Sequence, residues 1–154
     1  MKLSPNFTLG GADRQRLCRQ ERSGQYASER SSDEPEAGWL RFLNLCERCL
    51  GKPISINSAY RSPGVNAAIG GSKTSQHCHG TAADIRVAGM IPDQVVKRII
   101  ASTLPYDQVI REFSDPVRGG GWTHVSIPNT QDAKPRKMAL IIDKKGTRPY
   151  KSGG

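Results

Sequence analysis

Residues 81–87 and 122–127 alternate apolar and other side chains, a two-residue period that suits a strand with one buried face and not a helix. In the first segment Ala83, Ile85 and Val87 share one face, while Ala82, Asp84 and Arg86 share the other. In the second, Val125 and Ile127 oppose Trp122, His124 and Ser126. Residues 54–58 repeat the pattern, and 108–113 and 138–142 read as two more strands. One-faced strands of this kind require a sheet with a covering layer on its apolar side.

Two helices can supply that layer. Phe42, Leu43, Cys46, Cys49 and Leu50 fall 3, 4, 7, 10 and 11 residues after Trp39, which is one helical face. Asp33 and Pro35 offer start chemistry for this helix and Gly51 a stop. Residues 92–101 open on Pro92 and carry Val95, Val96, Ile99 and Ile100 on one side. Residues 61–71 read as a short helix or turn, 12–20 can form a short helix, and 28–36 read as an exposed loop. The expected class is α+β, a small, mostly antiparallel sheet with flanking helices. At 154 residues one domain is expected, with a core at about 38–128 and a basic C-terminal segment at 129–154.

No run approaches the roughly 20 apolar residues of a membrane span, so no membrane insertion is expected. Nor does an apolar run follow Lys2, so no secretory leader is expected. Without one, Cys18, Cys46, Cys49 and Cys78 read as thiols rather than a disulfide framework. Cys46 and Cys49 form a C-x-x-C, but their place on the apolar helical face marks them as small buried hydrophobes. The net charge is +9, and residues 129–154 contribute seven basic residues against Asp132 and Asp143. This excess favours an anionic partner, whether nucleic acid, membrane surface or wall polymer, or serves solubility alone.

The three histidines are His77, His79 and His124. Asp84 and His124 lie on the strand faces opposite the apolar residues, so neighbouring strands would bring a carboxylate and an imidazole to one side of the sheet. His77 precedes Asp84 by seven residues, in a glycine-interrupted loop able to turn back over that face. A His/Asp/His set with an open fourth position is catalytic zinc architecture. A surface histidine and a solvated strand aspartate explain the same residues singly, and spacing leaves both readings open.

The run Ser75-Gln-His77-Cys-His-Gly80-Thr-Ala-Ala-Asp84-Ile85 resembles the S-x-H-x-x-G-x-A-x-D-I signature of the zinc D-Ala-D-Ala carboxypeptidase family, peptidase family M15. Ile56-Asn-Ser-Ala-Tyr60-Arg61-Ser62-Pro63-Gly-Val-Asn66 is similar to its "S-G-Y-R-S-P-x-V-N" segment, and Gly121-Trp122-Thr123-His124-Val125-Ser126 to its "G-W-x-H-V-S" strand. The opening, Leu3 to Leu9, resembles the start of many phage members. The resemblance implies the fold shared by these peptidases and the hedgehog signalling domains. It also implies one Zn2+ per chain, with His77, Asp84 and His124 as ligands. Arg61 matches an arginine near the reacting carbonyl, able to stabilise an oxyanion or hold a substrate carboxylate; a structural arginine bonded to loop carbonyls is the alternative. Ser75 matches a substrate-orienting residue, and a turn-capping serine explains it equally well.

The sequence departs from that pattern at Gly121, where many members carry Glu or Asp three residues before the last histidine ligand. Glu112, in the segment resembling the phage-type "D-Q-L-I-x-E-F" strand, is the expected general base, brought beside His124 by a hairpin through 114–121. Asp115 is the reserve, and a strand-edge glutamate paired with Arg111 or Arg118 is the alternative. His79, at a position where the family usually has a residue such as lysine, reads as a rim or substrate-facing group. Cys78 adjoins the metal loop.

The resulting expectation is zinc-dependent hydrolysis of peptidoglycan stem peptides. D,D-carboxypeptidase and L,D- or D,D-endopeptidase cuts are all open. A monomeric phage-type lysis enzyme, held in the host cytoplasm until release, or a virion-associated one would suit it. Gly121 keeps alive a non-catalytic zinc module of the same fold. A basic nucleic-acid-binding protein explains the charge but not the His/Asp/His set, and no nucleic-acid motif is present, so no nucleic-acid partner is expected.

Overall fold

A computed structural model describes residues 8–9 and 35–151. The expected helix at 12–20, the loop up to residue 34, Cys18 and the Leu3 end of the opening motif lie outside the described residues. The chain runs β1 (Thr8–Leu9), α1 (Pro35–Leu50), β2 (Ile54–Ser58), α2 (Pro63–Ala68), a 3-10 turn (Gln76–His79), β3 (Ala82–Val87), α3 (Pro92–Ile100), β4 (Gln108–Glu112), β5 (Trp122–Ser126), β6 (Met138–Asp143) and β7 (Gly146–Pro149). Among the described residues, no helix is long and apolar enough to cross a membrane.

The strands form one sheet in the order β1-β2-β3-β5-β4-β6-β7. The class is α+β, as expected. Four of the six pairings are antiparallel, while β1–β2 and β4–β6 are parallel, so the sheet is mixed. The pattern at 138–142 is not the end of the sheet: a further strand, β7, follows across a tight Lys144-Lys145 turn, and Arg148 there grips Asp143 through two bonds of 2.8 and 2.7 Å.

The apolar positions of α1 and α3 pack with one face of the sheet. Trp39, Phe42, Leu43, Cys46 and Leu50 join Val95, Val96 and Ile99 over Ile54, Ile85, Val109 and Val125 in one core. Each such aliphatic side chain contributes about 1.5–3 kcal/mol by leaving water. Gly51 adopts φ +66, and its N–H reaches Glu47 O at 2.8 Å, ending α1 with a left-handed cap. Cys46 is fully buried in this core, and burial, with Cys49 close by, pushes its thiol well above the usual range.

One charged pair shares the helix-covered face. Arg111 and Asp93 are both almost wholly buried and meet at 2.7 Å, with Tyr150 Oη donating to Asp93 at 2.9 Å and Lys97 Nζ 2.9 Å from its other oxygen. Arg111 therefore faces α3, while its neighbours Ile110 and Glu112 face the opposite side. With both helices on one face, the other face holds Asp84, His124 and Glu112.

Candidate metal centre

Strand register brings the first two candidate ligands together. β3 and β5 are antiparallel neighbours with Asp84 directly opposite His124, and β4 sets Ile110 opposite His124 and Glu112 opposite Trp122. Because opposed residues share a face, Asp84, His124, Trp122 and Glu112 all belong to the side away from the helices. A register break between Ile56 and Ser58 in β2 sets Ser58 opposite Asp84.

The third candidate ligand comes from the 3-10 turn, which Gly80 closes at φ +71. His77 is buried, its carbonyl accepts the Arg61 backbone N–H at 3.0 Å, and its Nδ1 lies 2.7 Å from Ala59 O. A carbonyl only accepts, so His77 carries a proton on Nδ1, which leaves Nε2 as the ring nitrogen it can offer a metal. That atom stands 3.2 Å from Asp84 Oδ1 and 3.2 Å from His124 Nδ1, and the latter two are 3.3 Å apart.

Three potential donor atoms thus converge in a buried site, and one bound cation would satisfy all three at once. Donors bound at about 2.0–2.1 Å around a tetrahedral ion stand about 3.3 Å from one another, which is the spacing found. Among the described residues, His77, Asp84 and His124 are the group of His, Cys, Asp or Glu side chains able to share a metal. The residues present fit zinc.

The surrounding groups tune this set. Burial alone would raise the Asp84 carboxyl, but hydrogen bonds and charge from His124 and His77 outweigh it and hold Asp84 well below the usual carboxylate range. Arg61 acts in the same direction, with its guanidinium 2.7 Å from Asp84 Oδ2 and its Nε 3.2 Å from Ser58 Oγ. His124 Nε2 is buried without a hydrogen-bond partner among the described residues. Its ring is held by strand register and by edge-on packing against His77, with centroids 5.0 Å apart.

Glu112 is half-buried. Burial, and then the Asp84 charge, push its carboxyl above the usual range, against the opposing pull of His124, His77 and the Trp122 indole. The indole lies close enough to favour the charged carboxylate, although its Nε1 makes no well-formed hydrogen bond. Asp115 is exposed and already used, its Oδ1 accepting the Val117 and Arg118 N–H groups of the hairpin turn at 2.8 and 2.7 Å. Ser75 stands at the start of the 3-10 turn, two residues from His77, and its side chain makes no capping bond there. His79 is exposed and Cys78 half-buried beside it.

Gly121 has a steric reason. It adopts φ +58, and a β-carbon there would lie 2.1 Å from Glu112 O and 2.6 Å from Phe113 C and O. The end of β4 fills the place where a side chain would begin, so this chain cannot carry a carboxylate at that position without opening the hairpin.

Sequence reasoning missed the groups behind the candidate ligands: the Ala59 carbonyl on His77, and Ser58, which bonds the Arg61 that reaches Asp84. A backbone carbonyl leaves no residue-type signal.

A mixed α+β sheet carries, on the face its helices leave free, a His/Asp/His set that could hold a metal ion. A model of the family described as Peptidase M15 matches residues 8–126, and the chain belongs to that family. A search of curated proteins gives no match. The M15 peptidases are zinc-dependent metallopeptidases, and the donor set here is the one such a metal needs.

Proposed function

We propose that this protein is a zinc peptidase that cleaves the stem peptides of peptidoglycan, acting as a phage-type lysis enzyme released from the host cytoplasm or as a virion component. The observation that carries the reading is the convergence of His77 Nε2, Asp84 Oδ1 and His124 Nδ1 within 3.2–3.3 Å, with Glu112 on the same face of the adjoining strand. The sequence resemblance to phage-type members and the net charge of +9, suited to an anionic wall, support the substrate.

In this reading His77, Asp84 and His124 hold one zinc. Bound there, zinc supplies Lewis acidity to the scissile carbonyl and acidifies water. Glu112 accepts the proton of the attacking water and returns it to the leaving amine. A half-buried carboxyl on the same face as the ligands suits both roles, taking the proton as carboxylate and giving it up as acid. Arg61 spends two of its five N–H donors on Asp84 and Ser58, leaving others for a substrate oxygen. Ser75, at the mouth of the His77 turn, helps to orient the peptide.

The test is digestion of purified peptidoglycan by the zinc-loaded protein, with and without a chelator, read by mass spectrometry. Chelator-sensitive release is expected, and the new termini name the bond. Zinc bound at one per chain with no release from several wall types would favour the non-catalytic module.

A further inference from the structure

Asp107 lies just before β4 and is 3% exposed. Its carboxylate joins two segments far apart in sequence. Arg136 wraps it with its backbone N–H at 3.0 Å, Nε at 3.1 and 3.0 Å from the two oxygens, and a terminal nitrogen at 2.5 Å from Oδ2. Oδ2 also accepts Gln76 Nε2 at 3.0 Å, and the same nitrogen donates to Ile127 O at 2.9 Å. Both neighbours are acceptors, so the amide nitrogen, and not its oxygen, must occupy this position. Gln76 opens the turn whose next residue is His77. A second strut runs parallel to it: Thr81 Oγ1, which follows the turn, donates to Asn129 Oδ1 at 2.7 Å.

We propose that Arg136 is a positioning residue for the metal ligand His77, acting through buried Asp107 and Gln76. The basic segment after β5 is then part of the scaffold of the metal centre and not only a source of charge. The physical basis is rigidity. His77 reaches the metal from a turn rather than a strand, so its Nε2 is only as well placed as the turn itself. Its Ala59 bond orients the ring, and the Gln76–Asp107–Arg136 relay fixes the turn against the sheet. Arg136 suits this because its planar fork engages both carboxylate oxygens at once, which lysine cannot do.

The inference rests on the metal-centre reading, and its test separates the two. Zinc affinity of the full chain is measured by competition with a chromophoric chelator, alongside the visible spectrum of the cobalt-substituted protein and the melting temperature of the metal-free form. The Arg136 side chain is half exposed, so Arg136→Ala should fold. Wild type should bind one zinc, and Arg136→Ala should bind it roughly tenfold more weakly with a shifted cobalt band, at the low end of outer-shell effects. Arg136→Lys should fall between them. Gln76→Met should weaken binding at least as much, and the double variant Arg136→Ala/Gln76→Met no further than Gln76→Met alone. Arg136→Ala that melts lower but binds zinc within about twofold of wild type, with an unchanged cobalt band, would reduce the relay to a structural clamp and overturn the proposal. Multiplying effects in the double variant would also overturn it. Absence of zinc binding in wild type would instead sink the metal-centre reading itself.

Discussion

Replacing Gly121 by alanine tests whether the hairpin, and not chance, keeps a carboxylate from this position. The φ of +58 is left-handed, and forcing an L side chain into it costs about 1–2 kcal/mol. The new β-carbon would overlap Glu112 O at 2.1 Å, well inside contact distance, and backbone cannot rotate away as a side-chain tip can. Relief requires parting the end of β4 from β5, where Glu112 pairs with Trp122, at the loss of one or two backbone bonds of about 1 kcal/mol each. The expected cost is about 2–4 kcal/mol, or a fall of about 5–15 °C in melting temperature for a chain of this size. Urea and thermal unfolding of the metal-free protein read it without interference from metal binding. Stability within about 0.5 kcal/mol of wild type would refute the steric argument. As a corollary, Gly121→Glu should lose stability and should not restore hydrolysis to a Glu112→Gln variant.

Glu112→Gln should lower peptide hydrolysis by about 10²–10⁴-fold while zinc still binds, measured by fragment release and metal content; full activity would remove Glu112 from the mechanism. Asp93→Asn takes the carboxylate from buried Arg111 and should cost about 3–5 kcal/mol at pH 7. Burial by itself raises the Asp93 carboxyl, but bonds from Lys97, Tyr150 and Arg111 bring it below its ordinary value. Its stabilisation is therefore complete above the unfolded carboxylate value of about 4 and is lost as pH falls through the lower, folded one. Urea midpoints should show the gap between wild type and Asp93→Asn narrowing below about pH 4, and a constant gap at pH 7 and pH 3 would contradict this assignment.

Periodicity is a local property, and what it governs was legible in the chain. The two-residue alternation set Asp84 and His124 opposite the apolar residues of their strands, and the spacing from Trp39 to Leu50 set the buried face of α1. The same alternation turns Arg111 away from Glu112, which removes their pairing. The ordered motifs around Arg61, His77 and His124 marked the family and the candidate metal donors. Partners were decided elsewhere. Nothing in residues 146–149 alternates clearly enough to announce β7, and no local pattern makes β6 lie parallel to β4. The register that sets Asp84 against His124, the Ala59 carbonyl that orients the His77 ring, the crowding at Gly121 and the clasp of Arg136 on Asp107 all join residues distant along the chain. A sequence fixes which face a side chain takes because that depends on bonds to its neighbours. The few ångströms separating three candidate donor atoms depend on how strands and turns pack, and only the folded chain sets them.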